Sequence, residues 1–226
     1  MIVVTPGPLG EPARRLLAAL GSRGHQVLQP PAPPPAGDAP VVLAVSDGPF
    51  VLDLAGAART LAGRPLRILV LSRLGAHPDA RHPALQRMWR LEEHARASGA
   101  PTLTLRMAPL VGPETPLWRK LRSRPALPRG GRKLVNPVAE ADAIETIVRA
   151  LDGRAAWEGW YEVAGVEAVT LAELRDRAAA TPGPTAGGAW EPPLDEIEEH
   201  RLAESAPWAM HFAITPTPLS TWAAVA

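Results

Sequence analysis

The chain contains no cysteine. That excludes disulfides, thiolate metal sites and a cysteine nucleophile, and it suits a cytoplasmic location. It has two lysines, Lys120 and Lys133, and a single tyrosine, Tyr161. The residue four positions after that tyrosine is Gly165, so no Tyr-x-x-x-Lys pair exists anywhere in the sequence. No apolar run reaches about 18 residues, so a membrane span is not expected. The first residues lack a basic stretch followed by a long apolar one, so a secretion signal is not expected either. A formal net charge of +1 gives no global reason to expect nucleic acid or a membrane surface as a partner. None of the six histidines has a metal-ligand spacing such as H-E-x-x-H, and no metal is assigned. There is no G-x-S-x-G elbow to support a serine hydrolase.

What is present is a 226-residue chain with 46% hydrophobic residues, enough for one domain with a real core and a small appendage. Its 27 prolines gather in the connections. The opening is the most informative stretch. Ile2-Val3-Val4-Thr5 is a short apolar run, followed by a turn containing Gly7 and Gly10, a helical stretch from Ala13 to Ser22, and a second apolar run at Val27-Leu28. Strand, glycine turn, helix and strand is the first unit of a dinucleotide-binding sheet. Thr5, Gly7 and Gly10 are the candidate phosphate contacts, with the helix N-terminus aimed at the same spot. Pro6, Pro8 and Pro12 crowd that turn and remove potential N–H donors. A strand-to-helix turn that binds nothing is the competing reading.

Residues 29–40, QPPAPPPAGDAP, form a proline-rich link. VVLAVS at 41–46 and RILVLS at 67–72 are continuous apolar runs, as in strands buried on both faces of a parallel sheet. Helical periodicity covers 50–62, a long helix covers 83–98 and ends at Gly99, and PTLTLRM at 101–107 is another strand. A basic loop at 118–133 carries Arg119, Lys120, Arg122 and further cations. Residues 137–151 read as a helix, 159–164 as a short strand, and Thr170 with Glu173 as a capping box. An acidic helix is expected over 194–205. Alternating strands and helices imply an α/β, doubly wound, mostly parallel sheet.

The order of these segments resembles the extended and atypical short-chain dehydrogenase/reductases, closest to the NAD(P)-binding epimerase-like and NmrA-like proteins. The carriers are VVTPGPLGEPARRLLAALGSRGHQV, RILVLSRLGA, EEHARASGAPTLTLRMAPLVGP, NPVAEADAIETIVRAL and GWYEVAGVEAVTLAEL. The resemblance implies a Rossmann-like domain over 1–180 and a C-terminal extension at 181–226 forming a small lobe on the same domain. It also implies an aspartate at the position of Asp142. The sheet is expected to be shortened, because only the proline link stands where the family has one more β-α unit after its second strand.

The departures bear on function. The family uses a tyrosine as general acid and a lysine four residues later. Counted back from Glu92-Glu93 and Ser98-Gly99, those positions fall on Ala84 and Met88, and Ser72 stands near the family's active-site serine without its partners. The expectation is therefore a pseudoenzyme: a non-catalytic binding, scaffold or regulatory protein with weak or no NAD(P) binding. Two alternatives stay open. One is an NAD(P)-dependent reductase or epimerase with a non-standard proton donor, for which His77 and His82 are nearby. The other is an anion-binding regulator using Arg119, Lys120 and Arg122, against which stands a solvated loop balanced by the acidic segment Asp195–Glu204. A protein partner or a homodimer would meet helix 83–98, which carries Trp89. Nucleic acid is not an expected partner.

Overall fold

The computed structural model describes residues 2–4, 11–28, 41–46, 66–183 and 194–222. Thr5, Gly7 and Gly10, the proline-rich link at 29–40 and the helix expected over 50–62 lie outside the described residues.

The chain begins with strand β1 (Ile2–Val4), helix α1 (Glu11–Ser22) and strand β2 (Gln26–Leu28). Pro12 falls in the first helical turn, where its missing N–H leaves no hydrogen bond broken. Leu16 and Leu20, four residues apart, turn inward and are buried. Gly24 ends the helix in the left-handed region (φ 76°), which lets the His25 N–H reach back to the Leu20 carbonyl at 3.0 Å. Strands β3 (Val41–Ser46), β4 (Leu66–Arg73) and β5 (Thr102–Met107) follow, with helix α2 (Pro83–Ala97) between the last two. Ile68, Leu69 and Val70 are successive and all buried, so both faces of β4 are covered, as its continuous apolar run requires.

The principal sheet has six strands in the order β2-β1-β3-β4-β5-β9, all parallel, where β9 is Trp160–Val163. The order reverses between β1 and β3. In a doubly wound sheet that reversal opens a crevice beyond the carboxyl ends of the strands. Among the described residues β2 is the outer strand on its side.

Strand β6 (Leu110–Val111) pairs in parallel with β8 (Val138–Ala139), and β7 (Leu134–Val135) pairs antiparallel with β10 (Val169–Thr170). Around them lie helices α3 (Pro116–Arg122), α4 (Glu140–Arg149), α5 (Leu171–Ala180) and α6 (Ser205–Phe212). One apolar cluster joins Leu20, Leu69, Leu105 and Val148 to Trp208 and Phe212. A second joins Trp118, Leu121, Val135, Leu174, Leu194 and Ile197.

Three expected elements differ. The basic segment 118–133 is a loop only in its second part, because Leu117, Trp118 and Leu121 share a buried helix face and Thr115 caps that helix. The helix expected over 137–151 begins at Glu140, since Val138 and Ala139 are used as strand β8. The acidic helix expected over 194–205 is a single 3₁₀ turn, Leu194–Ile197, and the next helix starts only at Ser205. Between them the Arg201 N–H donates to the Leu134 carbonyl (2.9 Å) and the Asn136 N–H to the Arg201 carbonyl (3.2 Å). Pairing with β7 demands extended backbone, so that stretch cannot be helical.

Candidate functional site

The site is built at the carboxyl end of β4 and beneath α2. Side chains of a strand alternate between faces, so Ser72 and its neighbour Arg73 diverge. Ser72 is buried and its hydroxyl donates to the Glu92 carboxylate on α2. Glu92 is buried as well. It accepts a fork from Arg106 of β5, with Nε at 3.1 and 3.2 Å and Nη2 at 2.7 Å. The Arg106 guanidinium in turn lies 5.0 Å from the ring centre of Trp160 on β9. One carboxylate thus ties α2 to two strands, and Arg106 carries the contact on to a third.

Helix α2 begins at Pro83, and the His82 ring Nδ1 caps it by accepting from the Ala84 N–H at 3.2 Å. Ala84, Met88 and Glu92 follow at intervals of four, so they share one helix face, which is turned to the sheet. Ala84 is 2% exposed and Met88 is fully buried. The positions reached by counting for the tyrosine and lysine are therefore filled by apolar groups packed into the core. Ser72 lies on the same side, but its proton is directed to Glu92.

The loop after β4 is covered by the acidic segment. Arg73 pairs with Glu196, Arg81 with Glu199 at 3.2 Å, and His82 Nε2 with Asp195 at 3.5 Å. Arg201 is buried there and donates to the carbonyls of Glu196 (2.9 Å) and His200 (3.3 Å). Burial holds its guanidinium below the ordinary arginine range, opposed by the charges of Glu199 and Glu196. Gly75 lies under that guanidinium in the left-handed region (φ 90°), and a Cβ there would come within 2.9 Å of it. Charge complementarity between an acidic segment and this loop was not legible in the sequence. One pair joins its acidic residues to the basic segment, Arg129 with Glu198, 3.8 Å apart.

The other expected site residues scatter. Arg119 and Lys120 are half-buried on α3, while Arg122 is buried beside Gly183. Burial lowers the Arg122 guanidinium, opposed by Glu114 and reinforced by Arg119. His77 is exposed and lies 3.8 Å from Asp79. Asp142 is buried and clamps the Thr217 N–H (2.6 Å) and hydroxyl (2.9 Å), which fastens the C-terminal segment to α4. Tyr161 is remote from α2. Its hydroxyl meets His211 at 3.0 Å, and burial, then the charge of Glu158, raises its pKa. Among the described residues no group of acidic and histidine side chains could hold a metal ion, and no helix is long and apolar enough to cross a membrane.

The backbone superposes on a group of solved structures. The fold is that of the extended short-chain dehydrogenase/reductases. TunA, an NAD-dependent NDP-hexosamine 5,6-dehydratase of tunicamycin biosynthesis, superposes with a TM-score of 0.66 at 14% identity, over 98% of this chain and 95% of that one. UDP-glucuronic acid 4-epimerase from Bacillus cereus, solved with UDP-glucuronic acid and NAD, gives 0.63 at 13% identity, over 99% and 96%. MoeE5, solved with UDP-glucose and NAD, gives 0.62 at 18% identity, over 99% and 96%. At these identities the likeness is one of fold. No family model matches the sequence, and no curated protein matches it. Met88, the position reached by counting for the lysine, is fully buried.

Proposed function

We propose that this protein is a non-catalytic protein built on the extended short-chain dehydrogenase fold, acting by binding or as a scaffold or regulator. One observation carries the reading: Ala84 and Met88, the positions counted for the tyrosine and lysine, are both packed into the core. Neither an alanine methyl nor a thioether moves a proton at neutral pH. The nearby hydroxyl of Ser72 is turned to Glu92 rather than offered to a ligand. NAD(P) binding is weak or absent in this reading, since the ribose loses its lysine donor. Cytoplasmic location and an association through the outer side of α2, where Arg87, Arg90 and His94 are exposed, belong to the same reading. An anion site on Arg119, Lys120 and Arg122 is disfavoured because Arg122 is buried.

The test is direct. Purified protein is titrated with NADH and NADPH in a calorimeter, and is incubated with NAD and UDP-glucose or UDP-glucuronic acid while nicotinamide absorbance is followed. The expected result is no micromolar binding and no turnover. Nicotinamide oxidation or reduction in step with sugar conversion would overturn the reading. It would also move attention to His82, the imidazole next to Ala84 that faces Asp195.

A further inference from the structure

Strand β9 is the outer strand of the principal sheet on the side away from β2, and among the described residues nothing pairs with its outer edge. The Gly159 carbonyl accepts from the Thr104 N–H at 3.1 Å, and the Val163 carbonyl from the Ala108 N–H at 2.8 Å. Residues 159, 161 and 163 therefore turn their backbone groups to β5, and alternation turns the N–H and C=O of Trp160 and Glu162 outward. Such an open row is a template for another strand, and sheets often close it with proline or lysine. Gly159–Val163, GWYEV, has neither. The side chains are open as well. Trp160 and Glu162 stand on the sheet face of Thr104 and Arg106, their register partners. Trp160 is 52% exposed, and the half-buried Glu162 has no hydrogen bond or ion pair among the described residues. Arg106, whose fork is taken by Glu92, stacks on the indole and holds it in place.

We propose that β9 pairs with β9 of a second copy of this chain, antiparallel and about a two-fold axis at Tyr161, so that two sheets become one. What argues for a second copy is that the complement of this edge lies in the strand itself. With the axis at Tyr161, the two tyrosines form a non-hydrogen-bonded pair, and aromatic cross-strand pairs are favourable. Trp160 then stands opposite the partner's Glu162, and the outward N–H and C=O groups of those two residues meet. Each unpaired carboxylate arrives beside an indole whose N–H can donate to it. The neighbouring registers fail on charge. An axis at Trp160 sets Glu162 against the partner's Glu158, and an axis at Glu162 sets that carboxylate against its own copy; like charges directly opposite are destabilising. A strand pair this short is a small contact, so the association is concentration-dependent rather than permanent. It uses neither α2 nor a nicotinamide, so it stands or falls separately from the non-catalytic reading.

The experiment uses the full chain, followed by sedimentation velocity across a range of concentrations. A monomer–dimer equilibrium is expected, weakened at least about tenfold by Glu162→Arg, the scale on which charged contacts shift affinity. Arg90→Glu, on the outer side of α2, is expected to leave it unchanged. Cross-linking reads the register, because the chain has no cysteine of its own. Tyr161→Cys is expected to link to itself under oxidised glutathione, since the Cα atoms of such a pair stand about 4.5 Å apart, within disulfide range. Trp160→Cys and Glu162→Cys are each expected to stay unlinked alone, because like positions lie on the diagonal, about 7–8 Å apart. Mixed together, those two variants are expected to link. A monomer at every concentration that also resists cross-linking overturns the proposal, as does a dimer indifferent to Glu162→Arg. So does linking of Trp160→Cys or Glu162→Cys alone. A dimer lost in Arg90→Glu moves the contact to α2. Protection of β9 amides by an added foreign peptide, without self-association, assigns the edge to another protein's strand; either result rejects the second copy at β9.

Discussion

Glu92 shows how much one side chain can organise. Its carboxylate receives the Ser72 hydroxyl and the Arg106 fork while itself 1% exposed. Two charges taken out of water contribute little net stability as a pair, but removing one partner leaves the other buried and uncompensated. Glu92→Ala is therefore expected to cost about 3–5 kcal/mol, against about 1 kcal/mol for Ser72→Ala, which removes one hydrogen bond. Urea unfolding of the two variants reads the difference, and equal losses would contradict the central place given to the carboxylate. At the same scale, Ala84 and Met88 explain why chemistry is not expected. Both are buried core residues, and in the proposed reading they stand at the positions counted for the tyrosine and lysine.

At the scale of the element, helix α5 is fixed by its first turn. Thr170 accepts from the Glu173 N–H at 3.1 Å, and Glu173 accepts from the Thr170 N–H at 2.7 Å. The Thr170 N–H first, and its hydroxyl donating at 2.9 Å second, hold the Glu173 carboxyl below the ordinary glutamate range. A depressed folded-state pKa contributes stability that is present above the unfolded value and is lost as pH falls through the folded one. Glu173→Gln should thus lower stability near neutrality, and the gap to the wild type should close in acid below the folded-state pKa. Urea midpoints across that range check it, and a gap that persists in acid would point away from the carboxylate. The capping box was legible because both of its residues are local. The missing acidic helix was not, because its backbone is claimed by β7, more than sixty residues earlier in the chain.

Across the whole molecule, the C-terminal segment is part of the body that carries the sheet. Trp208 of α6 is 1% exposed and donates its indole N–H to the Ala164 carbonyl at 2.9 Å, just past β9. Asn136 bridges the Gly165 and Ala203 carbonyls, and a Cβ on Gly165 would collide with the Pro137 oxygen. Trp208→Ala is expected to cost about 3–5 kcal/mol, the range for emptying a large aromatic site. The loss should appear as one cooperative transition shifted to lower denaturant, since Trp208 shares a cluster with Leu105 of the sheet. An early, separate transition would show that the segment melts independently of the sheet.

The sequence by itself determined the parallel sheet, through the doubly apolar runs of β3 and β4. It also determined the missing Tyr-x-x-x-Lys pair, since composition alone excludes it. These are local or compositional properties. Only the tertiary structure decided that Ser72 serves Glu92, that Asp142 holds Thr217, and that Glu196 and Glu199 face Arg73 and Arg81 while Glu198 faces Arg129 of the basic segment. The physical reason is that a charge chooses its partner by distance in space. Spacing along the chain fixes that distance only within a helix turn or across a paired strand.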